Sequence, residues 1–130
     1  FELTLKQVAS IGGGLPRGLV AYGRLPLMLT RNCPAKNAGG DCKACPKNTE
    51  LTDRRGVRFP IRCAGGCSEV LNSVPLSMTD KISEMKGLDF VLLRFTVENS
   101  VESGEIITTF LQGKNPDTDY TRGLYIRGVE

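Results

Sequence analysis

Leu5, Val8 and Ile11 recur at the spacing of one helical face, and Thr4-x-x-Gln7 ahead of them has the form of a capping box. Gly12-Gly13-Gly14 then predicts the end of that helix. The short apolar run Gly18–Tyr22 predicts a strand; Pro26 argues against a regular central strand just after it. From Arg31 to Lys47 the chain is polar and has no periodicity. Glu50–Asp53 and Val57–Arg62 flank Arg54-Arg55-Gly56 and predict a β-hairpin whose second arm delivers Cys63. Glu69–Ser73 predicts another short strand. Thr79 is placed to cap a helix from Asp80, with Ile82 and Met85 on one face and Gly87 as the stop. Leu88–Phe95 is the most apolar run and predicts a buried, parallel strand. Asn99-x-x-Glu102 starts a last helix with a core stripe of Ile107, Phe110 and Leu111, closed by Gly113. Weak alternation over Thr121–Gly128 predicts an edge strand.

This order predicts an α/β fold: a small mixed sheet with flanking helices and an inserted cysteine-rich metal-binding loop and hairpin. A length of 130 residues suits one domain, 1–130, with the cysteine-rich insert at 31–67. Hydrophobic residues make up 40%, enough for a modest core. No run of about 18 apolar residues occurs, so no membrane span is expected. The chain shows no signal peptide and opens on Phe1-Glu2 rather than a methionine. The expectation is a fragment of a longer, cytoplasmic protein, with the remainder of the parent chain as its first partner.

The chemistry is concentrated in five cysteines, Cys33, Cys42, Cys45, Cys63 and Cys67, spaced C-x8-C-x2-C-x17-C-x3-C, in a chain with no histidine. The absence of histidine excludes Cys/His zinc sites, the Ser-His-Asp triad and the Cys-His dyad. The odd count and the short Cys42-x2-Cys45 spacing in a polar loop favour metal over disulfides. A loop of about 17 residues without structure of its own needs something to tie it down. Two ligand sets are open: Cys33, Cys42, Cys45 and Cys63, or Cys42, Cys45, Cys63 and Cys67. Four closed thiolates suit structural zinc, with sulfur at about 2.3 Å. The alternative is an iron–sulfur cluster, which accepts irregular spacing and a following proline, as at Cys33-Pro34 and Cys45-Pro46.

The net charge of +3 is uneven. Arg24–Arg62 holds nine Lys/Arg and three Asp/Glu; the rest holds eight and eleven. Basic neighbours stabilise an anionic thiolate site. Arg24, Arg54, Arg55 and Arg58 are also candidates for phosphate contacts, with Tyr22, Phe59 and Tyr125 for base stacking, although core packing is the simpler role of the rings. That pattern keeps a basic RNA-contacting module open. Ser68, Ser73 and Ser77 have no histidine base, and no spacing supports Lys81 or Lys86 in its place. Glu69 and Glu98 are an acid/base pair on paper only; solvated or ion-paired carboxylates are the simpler expectation.

Several stretches resemble the collagenase-like peptidase family U-thirty-two. They are Tyr22-Gly23-Arg24-Leu25-Pro26-Leu27-Met28 with Asn32-Cys33-Pro34, and Leu51-Thr52-Asp53-Arg54-Arg55-Gly56 running into Phe59-Pro60 and Cys63. Glu69–Leu76 and Thr121–Glu130 fit as well, so the resemblance covers nearly the whole chain and is most like a C-terminal piece of the longer bacterial members. It implies a setting in or beside a TIM-like barrel and a parent with a peptidase name. As the alternative it implies an iron–sulfur component of the RNA or quinone hydroxylation proteins of the same family, which use cysteine-bound iron–sulfur clusters. Cys33 and Cys63 sit in the family-like motifs, which favours the ligand set Cys33, Cys42, Cys45 and Cys63. The expected function is a structural metal-binding module, inactive as a peptidase alone, with peptide or RNA as the parent's substrate.

Overall fold

The computed structural model describes residues 3–43, 45 and 48–126, and divides the chain into two units. One is formed by Phe1–Gly23 with Val74–Glu130; the other is Arg24–Ser73. The stretch 31–67 lies wholly in the second. The fold is mixed α/β, but with two small open sheets where one was expected, and no closed barrel among the described residues. No helix of the described residues is long and apolar enough to cross a membrane.

The first unit is built on β1 (Gly18–Gly23). It pairs antiparallel with β6 (Leu76–Ser77) on one side and parallel with β7 (Phe90–Arg94) on the other. With neighbours on both edges, Leu19, Ala21 and Tyr22 are all buried. Gly23 has φ +142°, and a Cβ there would lie 2.5 Å from the Arg94 carbonyl oxygen, so only glycine lets β1 finish beside β7. Helix α1 (Leu5–Ser10) has the predicted capping box, but it stops before the glycines. The Arg17 guanidinium takes its last carbonyls instead, donating to Ala9 O at 3.0 Å and Ile11 O at 2.6 Å.

Three expectations change here for physical reasons. Strand β7 is parallel as expected but not buried: it lies at a sheet edge, and Phe90 and Leu92 are 55% and 49% exposed. The helix expected from Asp80 is a 3-10 helix over Thr79–Glu84. Thr79 does not cap it, because its side chain turns inward and donates to the Lys114 carbonyl. Helix α3 (Ser100–Leu111) has the Asn99/Glu102 capping box, but it buries Ile106 rather than Ile107, and Leu111 is exposed. Apolar residues come there in adjacent pairs, Ile106-Ile107 and Phe110-Leu111, so periodicity fits either register. The expected tail strand is reduced to a bridge at Thr121 with Leu76, followed by a turn to Ile126; its last two residues lie outside those described.

The second unit is a four-stranded antiparallel sheet in the order β2-β5-β4-β3. Its strands are β2 (Pro26–Thr30), β3 (Asn48–Thr52), β4 (Arg58–Ala64) and β5 (Cys67–Leu71). Pro26 opens β2 at the sheet edge, where a missing N–H costs no ladder bond. The predicted hairpin is β3–β4, its turn braced by Asp53 Oδ1, which accepts from the amides of Arg55 at 2.7 Å and Val57 at 2.9 Å. A second hairpin, β4–β5, turns on Gly65-Gly66, both at positive φ. The expected loop 31–47 carries one short helix, α2 (Pro34–Asn37).

Arg122 locks the chain after α3 onto β6. It pairs with both carboxylate oxygens of Asp80, one bond 2.9 Å long, and donates to the Ser77 carbonyl at 3.0 Å. The Arg122 guanidinium holds the Asp80 carboxyl below the usual range, with partial burial opposing it. A lowered folded pKa means stability present above the ordinary aspartate pKa near 4 and lost as pH falls through the lowered value. Asp80→Asn should therefore cost about 1–3 kcal/mol at pH 7, as for a hydrogen bond to a charged group. Its deficit against the parent should shrink as pH falls below the ordinary aspartate range, read from urea midpoints. A deficit independent of pH would contradict this role.

Candidate metal centre

Antiparallel direction decides where the cysteines go. The end of the second sheet where β2 and β4 finish is the end where β3 and β5 begin. Cys33 lies three residues past β2, Cys45 three before β3, Cys63 near the end of β4 and Cys67 at the start of β5. All these positions therefore share one end of the sheet, and Cys42 lies in the loop that joins them. All five are free thiols.

Register then separates them by face. Ser68 is opposite Thr30 on one side and Cys63 on the other; the next row on that face is Met28, Val70, Ile61 and Thr49. Cys33 shares a cavity with Thr49, which puts it on this face too. A cavity of about 240 Å³ lies here, lined by Cys33, Cys42, Cys45, Lys36, Asp41 and Thr49 among others. Cys67 pairs with Ala64, one residue out of step, and falls on the opposite face.

Cys33 begins α2 without a capping hydrogen bond of ordinary geometry. The backbone amide of Lys36 is nonetheless the largest influence holding its thiol below the usual range. Slight desolvation opposes it, and the Ser68 hydroxyl, the Ala35 amide and the Lys36 ammonium add to it. Thiolate character is what a metal ligand needs. As placed, no three His, Cys, Asp or Glu side chains among the described residues are close enough to grip one ion. Three thiols lining one cavity are, in donor chemistry, suited to a soft ion.

The basic residues do not all follow the cysteines. Arg54, Arg55 and Arg58 sit at the β3–β4 turn, the opposite end of the sheet. Strands of five residues put them roughly 17 Å away, beyond the screening length of about 8 Å at physiological salt. Lys36, by contrast, lines the cavity. Glu69 and Glu98 lie in different units, and Glu98 accepts from Tyr22 OH at 3.3 Å and from the amides of Thr96 and Val97. Lys81 pairs with Glu84 at 2.7 Å, which raises its pKa, the reverse of what a lysine base requires. Tyr22 and Tyr125 are buried, and Tyr22 packs against Phe95 at 5.9 Å, so neither ring is offered to a base. Ser68 is a residue that spacing alone did not connect with the cysteines. The readable signal was Gly65-Gly66, which marks a hairpin and so sets Ser68 opposite Cys63.

Comparisons with protein families, with curated proteins and with solved structures find no match to this chain.

In metal-free protein, Cys33 should be alkylated by iodoacetamide faster than the other four thiols near pH 7. The midpoint of its rate profile should fall below the ordinary thiol pKa of about 8.5. Mass mapping of partially labelled protein checks this; equal labelling of all five would refute it.

Proposed function

We propose that Arg24–Ser73 is a structural metal-binding module whose ligands are Cys33, Cys42, Cys45 and Cys63, with zinc as the metal. The observation that carries this reading is the convergence of these four positions at one end of one sheet, with Cys67 on the other face. The size of the unit supports it. Among the described residues of this fifty-residue unit, the buried large apolar side chains are Ile61, Val70 and Leu71, each contributing about 1.5–3 kcal/mol. Units this small usually need a metal or a covalent staple. Bound zinc would supply that cross-link. A closed four-thiolate site keeps no open position for water, so the module braces rather than hydrolyses.

On the resemblance in sequence alone, we read this module as the C-terminal part of a collagenase-like peptidase family protein, within or beside a TIM-like barrel. Its partners on this reading are the remainder of the parent chain and that chain's peptide or RNA substrate, in the cytoplasm. The same resemblance keeps an iron–sulfur cluster as the alternative occupant, in an RNA or quinone hydroxylation protein. A basic RNA-contacting role rests on a separate feature, the braced turn that presents exposed Arg54 and Arg55.

Protein purified without oxygen should be colourless, free of acid-labile sulfide, and carry about one zinc ion per chain. Cys33→Ser and Cys42→Ser should each lose the metal, while Cys67→Ser should keep it. Colour with stoichiometric sulfide would replace zinc by a cluster on the same ligands; no metal of either kind would overturn the reading. Removing the metal with chelator should speed amide exchange in 24–73 before it does so in β7.

A further inference from the structure

Strand β2 pairs with β5 on one side, and among the described residues its other edge has no partner. An open edge of this kind invites a further strand, and soluble proteins usually blunt it with charge. Strand β2 carries no charge between Pro26 and Thr30. Instead Leu27, Met28 and Leu29 follow one another, 55%, 51% and 72% exposed. Side chains alternate along a strand, so the three present apolar surface on both faces at once. Apolar residues in succession suit a strand that is covered on both faces.

The two ends of β2 set what the edge accepts. The Leu25 carbonyl accepts from the Asn72 amide at 2.8 Å, so the alternation of an antiparallel ladder turns the nitrogen of Pro26 to the open edge. That nitrogen has no proton to donate, which confines pairing to the residues after it. At the other end Arg31 is exposed and has no ion-pair partner among the described residues. Arg24, by contrast, donates to the Asn72 carbonyl at 3.0 Å and to that of Ser73. The surrounding unit, Arg24–Ser73, holds nine Lys/Arg against four Asp/Glu. A second copy of β2 fits this edge poorly. Twofold pairing centred on Met28 would set Arg31 of one copy beside Leu25 of the other, next to Arg24, and bring like charges together at both ends.

We propose that the open edge of β2 is a docking site for an extended segment of a partner protein. The segment adds antiparallel as a fifth strand of this sheet. It is apolar along its length and carries Asp or Glu at its N-terminal end, where it meets Arg31. Main-chain hydrogen bonds from Leu27–Thr30 hold it, the exposed leucines and methionine pack beside it, and Arg31 fixes its direction. The site stands whether or not the cysteines hold a metal.

The test uses the full chain at low salt, where exposed charges are least screened. Fluorescence anisotropy follows two labelled hexapeptides, acetyl-Asp-Val-Thr-Val-Thr-Val and the same peptide with Lys in place of Asp. The Asp peptide should bind saturably and about fivefold more tightly than the Lys peptide, the upper end for an exposed ion pair. Arg31→Glu should reverse that order. Leu29→Lys changes a side chain that is already 72% exposed, so the fold should survive, while both peptides should weaken about tenfold or more. No saturable binding of either peptide, equal affinities for the two, or an order unchanged in Arg31→Glu would overturn the proposal. Sedimentation as a dimer that Leu29→Lys returns to monomer would give the edge to a second copy and overturn it as well.

Discussion

Strand β5 is hydrogen-bonded on both edges, to β2 and to β4, and both partners run against it. From that double pairing the arrangement of the second unit follows. Because direction alternates across the sheet, strand ends and strand beginnings meet at one end of the sheet, and Cys33, Cys45, Cys63 and Cys67 each lie at or within three residues of one of them. Because side chains alternate along each strand, one residue of register separates Cys63 from Cys67. Shifting the Gly65-Gly66 turn by one position would exchange the two thiols between faces. A turn with both residues at positive φ, met by two glycines, resists that slip.

The same geometry divides the positive charge. In sequence the arginines and lysines overlap the cysteines, and a single electrostatic role for them looks natural. In three dimensions the β3–β4 hairpin carries Arg54, Arg55 and Arg58 away to the far end, where Arg58 forms an exposed pair with Glu50 at 3.6 Å. A pair that exposed contributes little, typically up to about 1 kcal/mol. At Cys33 the thiolate is favoured by shorter-range groups, first the Lys36 amide at the start of α2 and then the Lys36 ammonium among smaller influences. The unit thus has two chemically different ends joined by one small sheet.

The first unit depends on a different kind of order. Its central strand, β1, is closely flanked, and Gly23 marks a place where backbone meets backbone. Around β6 a connected polar group takes over from apolar packing. Ser77 and Thr79 are fully buried, their hydroxyls 3.1 Å apart, and Arg122 ties the Ser77 carbonyl to Asp80. Buried polar groups of this kind specify one arrangement because leaving any one of them unpaired is costly.

Local chemistry written in the chain was legible without coordinates. The capping boxes at Thr4 and Asn99, the Arg54-Arg55-Gly56 turn and the parallel character of the Phe90–Arg94 strand depend on residues a few positions apart or on apolar content. Tertiary structure decided whatever depended on neighbours. An apolar run at Leu88–Phe95 is buried only if something covers both faces, and β7 is an edge. A doublet such as Ile106-Ile107 fits helical periodicity in two registers, and packing chose Ile106. Thr79 had the right residue type for a cap, but a distant carbonyl, at Lys114, offered its hydroxyl a buried partner. Cysteine spacing left two ligand sets open, because spacing records distance along the chain; which thiols share a face is set by strand pairing, a property of residues brought together only when the sheet forms.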